Sequence, residues 1–144
     1  MENNELEYIN VKTMKNMRIN KITYKDKIII DYTAIVDVRT PKEFKEDHIP
    51  DAINYPVLSN KQRHEIGLKY KENSFLAKKN GAELISFNIS NIIKKINFEK
   101  KDKVLIYCWR GGLRSLSLYL VLKQIGYDVY LLDGGYKSYR KRVV

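Results

Sequence analysis

The sequence predicts an α/β fold in which helices cover a parallel sheet on both faces. Short apolar runs alternate along the chain with longer segments of helical character, as in sheets whose parallel strands are joined by right-handed crossovers. The runs at residues 34–38 and 104–107 are apolar on both faces, which is expected of strands buried in such a sheet. Ligand sites in these folds lie at the carboxyl ends of the strands, so the residues that follow the two runs are candidates for function.

The chain begins with less regular segments. Residues 1–18 show no clear period and are interpreted as a tail or a short helix. Residues 21–24 are interpreted as a short edge strand, and residues 27–30 as another strand or a short helix. We therefore assign residues 1–33 to an N-terminal tail and first strand region, and residues 34–144 to the core of a single domain.

A helix start follows the first buried strand. Thr40 precedes Pro41, and Glu43 falls at the third position of the turn that Pro41 begins. This pattern predicts an N-cap with a capping box and a short helix behind it. A turn at residues 48–52 then leads into a third short strand at residues 53–55.

The middle of the chain is predicted to be helical. Residues 61–70 suit one helix, and residues 74–96 suit a second helix that is interrupted at Gly81. The second helix has a predicted core-facing stripe, which consists of Leu84, Phe87, Ile89, Ile92, Ile93 and Ile96.

The last part of the chain returns to the alternation of helix and strand. A helix that begins near Leu113 is predicted to end at Gly126, which is a natural C-cap. A strand at residues 127–132 follows, and residues 136–142 suit a basic helical segment.

The single cysteine of the chain is the candidate nucleophile. Cys108 directly follows the apolar run at residues 104–107, at the carboxyl end of that strand. Gly111 and Gly112 allow the next residues to curl so that several backbone N–H groups point at one spot and form a cradle for an anion. An inert buried cysteine is the alternative interpretation.

The charges around Cys108 favour the nucleophile. Arg110, Arg114 and the positive end of the helix that begins near Leu113 would all stabilise a thiolate over a thiol. An inert core position would have no need of two arginines and a glycine pair within seven residues. We therefore expect the sulfur to be ionised near neutral pH.

Composition limits the classes of partner. One cysteine excludes an internal disulfide framework, and two distant histidines provide no zinc spacing, so no metal is expected. The N-terminus lacks the pattern of a secretory signal and no apolar run has membrane-spanning length, which predicts a cytoplasmic protein without a membrane partner. The net charge of +10 suits anionic partners such as nucleic acid, although scattered lysines that keep the surface solvated would explain it equally well.

The chain resembles the rhodanese domain family. The resemblance rests on Asp37-Val38-Arg39, Pro41, Glu43 and Phe44, on residues 48–54, on Cys108 at the strand end, and on Gly134-Gly135-Tyr136. It implies a rhodanese-like α/β fold with a five-stranded parallel sheet. It also implies that the cysteine carries sulfur or a sulfur-like atom as a persulfide.

Residues 108–115 permit a narrower comparison. Together with Tyr70-Lys71 upstream and residues 134–137 downstream, they are similar to the rhodanese domain of tRNA 2-selenouridine synthases. This resemblance implies conversion of 2-thiouridine to 2-selenouridine at the wobble position of tRNA, with selenophosphate and geranyl diphosphate as co-substrates. Cys108 would carry the selenium or sulfur. The expected substrate-binding residues are Trp109, Arg110, Gly111, Gly112, Leu113, Arg114 and Ser115, and the expected supporting residues are Asp37, Arg39 and His48.

His48 itself has two interpretations. It could be a general acid or base, but a histidine beside a turn is more often a hydrogen-bonding brace, which we favour.

The family pattern continues into a P-loop domain, whereas this sequence contains no G-x-x-x-x-G-K-[ST]. We therefore expect either half of a split enzyme or a piece of a longer one, with tRNA and a separate P-loop protein as partners. The basic segment at residues 136–142, including its two tyrosines Tyr136 and Tyr139, is the expected docking surface.

Two other enzyme classes and one non-enzyme class remain open. Cys108 and Arg114 have the C-x5-R spacing of cysteine-dependent phosphatases, so a rhodanese-fold phosphatase or arsenate reductase is an alternative, as is a generic thiosulfate sulfurtransferase. A phosphatase would need a general acid, for which Asp37, Asp51 and Asp133 are candidates. A catalytically silent binding module is disfavoured by the intact cysteine loop.

Overall fold

Five strands form one parallel sheet in the computed structural model, which describes residues 19–23 and 32–143. They are β1 (Lys21–Ile22), β2 (Ala34–Asp37), β3 (Ile53–Asn54), β4 (Lys103–Tyr107) and β5 (Asp128–Leu132). The order across the sheet is β1-β5-β4-β2-β3, and each pairing is parallel. The predicted fold class is confirmed, and β4, the strand that ends before Cys108, lies at the centre.

The described helices are α1 (Pro41–Glu46), α2 (Asn60–Glu72), α3 (Ser74–Lys95), α4 (Leu113–Ile125) and α5 (Gly135–Val143). The predicted start of α1 is confirmed, because the Thr40 hydroxyl accepts from the Glu43 amide at 3.2 Å and the Glu43 carboxylate accepts from the Thr40 amide at the same distance. The predicted end of α4 is also confirmed, since Gly126 is its left-handed C-cap. The predictions for residues 1–18 and 27–30 concern segments outside the described residues.

Two predictions about α3 are wrong. The helix runs through Gly81 without interruption, because a glycine weakens a helix by about 1 kcal/mol but leaves its hydrogen bonds intact. Phe87 is 67% exposed, whereas Ile89 and Ile92 are buried in the core. Phe87 is separated from Ile89 by two residues, or about 200° around a helix, and therefore faces away from the sheet.

Successive residues of β4 enter two cores, one on each face of the sheet. Val104 and Ile106 pack in the core that α3 and α4 complete. Leu105 and Tyr107 pack in the other core, together with Tyr136 of α5. This alternation is the period of two that a strand imposes, and it shows that helices cover both faces as predicted.

The tyrosines of α5 are buried rather than available for docking, so the predicted docking surface requires correction. Tyr136 is 2% exposed and Tyr139 is 9% exposed, because their spacing of three residues places both on the side of α5 that faces the sheet. Arg140 and Lys141 are exposed, and Lys137 is half-buried. Along the ranges 19–23 and 32–143, no helix has the length and apolar character that crossing a membrane requires.

Candidate active site

Cys108 lies at the carboxyl end of the central strand β4, as the sequence predicted. The neighbouring strand β2 ends at the same level, where Asp37 pairs in register with Tyr107. The Val38 amide continues this pairing by donating to the Tyr107 carbonyl at 3.1 Å. Cys108 is only 2% exposed, so its sulfur lies at the bottom of the site rather than on the surface.

Two groups from the first turn of α4 contact the sulfur. The Gly112 amide donates to Sγ at 3.2 Å, and the Ser115 hydroxyl lies 3.1 Å from Sγ. The same hydroxyl is 3.2 Å from the Gly112 carbonyl. A thiol can therefore donate to the Ser115 hydroxyl while that hydroxyl donates to the Gly112 carbonyl, whereas a thiolate can accept a hydrogen bond from the hydroxyl. The site can stabilise either form of the sulfur without moving a heavy atom.

Gly135 allows the cysteine loop to lie directly against α5. It has φ +58°, and a Cβ at this position would lie 2.5 Å from the Cys108 carbonyl oxygen and 2.7 Å from both the Gly111 nitrogen and the Trp109 carbonyl oxygen. The Tyr136 and Lys137 amides donate to the Cys108 and Trp109 carbonyls at 2.8 and 2.9 Å. The glycine pair at residues 134–135 is thus the feature of the sequence that indicates the close contact between the cysteine loop and α5.

Arg114 is buried and ion-paired. Its Nη1 donates to Glu43 Oε1 at 2.9 Å, and the same oxygen accepts from Thr40. Burial would raise the pKa of Glu43, but the hydrogen bond and charge of Arg114, with the Thr40 donors, lower it below its ordinary value. The sequence predicted Arg114 in the site, whereas it gave Glu43 a capping box and a part in the family resemblance but no place in the site.

Arg63 of α2 is a site residue that the sequence analysis missed. Its Nε lies 3.7 Å from Glu43 Oε1. Burial and the like charge of Arg114 lower the pKa of Arg63, while Glu43 and Cys108 oppose this effect. The sequence does contain a pattern from which Arg63 could have been found. Ser59 and Gln62 form a capping box, which marks the start of α2 and therefore the side of the helix on which Arg63 lies.

Asp37 and Arg39 form a buried ion pair at the carboxyl end of β2. Arg39 Nε lies 3.1 Å from both Asp37 carboxylate oxygens, and Nη2 donates to Oδ2 at 2.8 Å. The guanidinium also lies 4.3 Å from the centre of the Tyr136 ring. Burial opposes ionisation, but the hydrogen bond and charge of Asp37 raise the pKa of Arg39. Both oxygens of the Asp37 carboxylate are therefore engaged by the Arg39 guanidinium, and this arrangement does not suit a general acid, which must carry a proton.

The geometry of His48 is that of a brace. Its Nδ1 lies 2.7 Å from the Phe44 carbonyl, to which it donates, and its ring stacks on the Phe44 ring at 3.7 Å. The other two candidate acids, Asp51 and Asp133, are exposed, whereas the described contacts of the Cys108 sulfur are with Gly112 and Ser115.

A cavity of about 550 Å³ opens beside the loop. Three arginines, three carboxylates and two aromatic rings line it, namely Arg39, Arg63, Arg140, Glu43, Glu46, Asp47, Trp109 and Tyr136. Burial and a hydrogen bond to Asp47 raise the pKa of Tyr136 to about 12, so this ring stays neutral. Arg110 and Leu113 are exposed. The substrate-binding roles predicted for them and for the other residues at positions 109–115 remain predictions.

Comparison with known proteins identifies relatives for most of the chain. The family model described as Rhodanese-like domain matches residues 20–142. A tRNA 2-selenouridine synthase from Psychromonas ingrahamii is 34% identical over 115 aligned positions, and the match covers 78% of this chain and 32% of that protein. One from Shewanella pealeana is 31% identical over 136 aligned positions, and the match covers 89% of this chain and 37% of that protein. The chain thus spans about a third of the length of these curated relatives.

Solved structures agree with this match. The N-terminal domain of a protein from Clostridium difficile 630, described as ATP/GTP binding, is 37% identical with a TM-score of 0.74, and the match covers 88% of this chain and 99% of that domain. The reduced CoADR-RHD protein of Bacillus anthracis is 20% identical with a TM-score of 0.56, over 84% of this chain and 16% of that one, which is a likeness of fold alone.

Proposed function

Since the chain belongs to the rhodanese-like domain family, we propose that it is a chalcogen transferase in which Cys108 carries sulfur or selenium. The observation that carries the proposal is the environment of the sulfur, which lies at the first turn of α4 between the Gly112 amide and the Ser115 hydroxyl. A helix N-terminus and two donors favour an anionic sulfur.

The transfer step can be written for a thiosulfate donor. The thiolate attacks the outer sulfur, a new S–S bond forms on Cys108, and sulfite leaves with the electron pair of the bond that breaks. The product is a persulfide whose negative charge lies on the outer sulfur, one S–S bond beyond Sγ.

Selenophosphate is the proposed natural donor. Attack of the thiolate on selenium forms an S–Se bond and breaks the P–Se bond, so electron balance requires phosphite as the leaving group. Release of phosphate would mean that selenium left as selenide, which does not label a thiolate. The two routes therefore differ in a product that can be measured.

The proposed role of the chain is that of the rhodanese part of a tRNA 2-selenouridine synthase, acting on 2-thiouridine at the tRNA wobble position. Support comes from the names of the curated relatives and from the third of their length that the chain matches. The Clostridium difficile neighbour is the N-terminal domain of a protein described as ATP/GTP binding, which supports action with a P-loop partner. Geranyl diphosphate would be a co-substrate of the full enzyme, and the net charge of +10 suits tRNA.

The test is intact-protein mass spectrometry after incubation with selenophosphate or thiosulfate. We expect one added selenium or sulfur atom on the wild type and none on Cys108→Ser, because serine is a far weaker nucleophile. Phosphite should accompany labelling by selenophosphate. Turnover of p-nitrophenyl phosphate without any chalcogen on Cys108 would contradict the proposal and favour a C-x5-R phosphatase.

A further inference from the structure

One carboxylate oxygen stands at the meeting point of two arginines. Glu43 Oε1 is 2.9 Å from Nη1 of Arg114 and 3.7 Å from Nε of Arg63, and it also accepts from Thr40. The three charged side chains come from α1, α2 and α4, so the packing of three separate elements creates this arrangement. It is not a consequence of local sequence.

The position of Glu43 separates the cavity from the buried part of the site. The Arg114 side chain is 10% exposed, the Glu43 side chain 26% and the Arg63 side chain 49%. Glu43 and Arg63 both line the 550 Å³ cavity. An anion that enters this cavity therefore contacts Arg63 first. The Glu43 carboxylate occupies the position from which the anion would contact Arg114.

The charges of Arg63, Glu43 and Arg114 favour the binding of a further anion. Two guanidinium groups face the Glu43 carboxylate, so these three side chains together have an excess positive charge whenever Cys108 is a neutral thiol, although Glu46 and Asp47 also line the cavity. A carboxylate also resembles one edge of a tetrahedral oxyanion, since each offers two oxygens to a guanidinium fork. Arg63 and Arg114 are thus placed for an oxyanion of greater charge than the carboxylate that they now contact.

We propose that Glu43 is a displaceable placeholder, and that Arg63 and Arg114 together bind the tetrahedral oxyanion group of the donor when Glu43 moves aside. The identity of the anion as the donor rests on the proposed function, whereas the binding of an oxyanion does not. Glu43 and Arg63 then determine which donors enter, because a donor must compete with the carboxylate for both arginines.

The test measures how inorganic phosphate protects Cys108 from alkylation by iodoacetamide. In Glu43→Gln the competing charge is removed while the amide oxygen can still accept from Thr40, because glutamine also serves in a capping box. We expect the concentration of phosphate that gives half-protection to fall about threefold to fivefold, in line with the loss of one partly exposed charge. The matched control is Glu65→Gln on α2, an exposed residue paired with Lys61, which should leave the half-protecting concentration unchanged.

Arg63→Gln provides a second variant at a half-exposed position. It should raise the half-protecting concentration of phosphate severalfold, because one of the two guanidinium groups is lost. Circular dichroism melts verify that each variant is folded, and if Glu43→Gln does not fold, Arg63→Gln decides the question. An unchanged half-protecting concentration in the folded variants would overturn the proposal and leave Glu43 as a helix cap alone. The assay needs no chalcogen transfer, so its outcome is independent of the function proposed above.

Discussion

Replacing Gly135 by alanine should destabilise the protein by about 3 kcal/mol or more. The added Cβ would lie 2.5 Å from the Cys108 carbonyl oxygen and 2.7 Å from the Gly111 nitrogen and the Trp109 carbonyl oxygen. All three atoms belong to the backbone, so no flexible side chain can make room. Either the cysteine loop or the start of α5 has to move.

The magnitude follows from what this movement breaks. Two amides at the start of α5 donate to the Cys108 and Trp109 carbonyls, and each hydrogen bond contributes about 1 kcal/mol. A residue with a Cβ at φ +58° costs about 1 kcal/mol more than glycine. These contributions already reach about 3 kcal/mol before any loss of packing around Tyr136 is counted.

Urea denaturation followed by circular dichroism measures the free energy of unfolding. Gly67→Ala is the matched control, since a Cβ there meets nothing within 4 Å and the residue lies inside helix α2, where alanine should stabilise by about 0.5–1 kcal/mol. The same variants should separate in alkylation of Cys108, which should be faster in Gly135→Ala because the loop is no longer held. A destabilisation below about 1 kcal/mol in Gly135→Ala would refute the reasoning.

Two further substitutions test the sulfur and its support. Ser115→Ala should slow the alkylation of Cys108 at neutral pH severalfold, because a thiolate loses one of its two donors; Ser117→Ala, whose hydroxyl donates to the Leu113 carbonyl instead, should not. Equal rates in the two variants would exclude the hydroxyl as a stabilising donor. Asp37→Asn should lower the free energy of unfolding by about 3 kcal/mol, because it leaves a buried guanidinium without its charged partner. Urea denaturation measures this loss, and a change below about 1 kcal/mol would show that the pair is not needed.

The parts of the site that are contiguous in sequence could be predicted. The apolar run before Cys108 defines the central strand, and the glycine pair with the following apolar residues defines the turn into α4. The start of α1 could be predicted for the same reason, since a capping box is a local pattern of four residues. Each of these features depends on neighbouring residues along the chain, so the sequence alone contains the information.

The ion-pair cluster could not be predicted, because its members are distant in sequence. Glu43 and Arg114 are separated by 71 positions, and their contact depends on how α1 packs against the cysteine loop. Arg63 reaches the same oxygen because the start of α2 lies beside α1, where the Lys42 amide donates to Asn60 Oδ1. The prediction that the tyrosines of α5 are available for docking failed for a related reason, since one face of this basic segment packs on the sheet.

The Glu43 carboxylate both caps α1 and contacts Arg114, so the exchange rate of the Thr40 amide reports on the state of the site. Thr40 is 4% exposed, and its N–H is held by the same oxygen that faces Arg114. The rate of amide hydrogen exchange at Thr40 therefore depends on the fraction of molecules in which that carboxylate accepts from the Thr40 amide. Any event in the site that draws the carboxylate away will speed exchange at this one amide, so occupation of the site can be followed by NMR in the protein without a label on the cysteine or on the ligand.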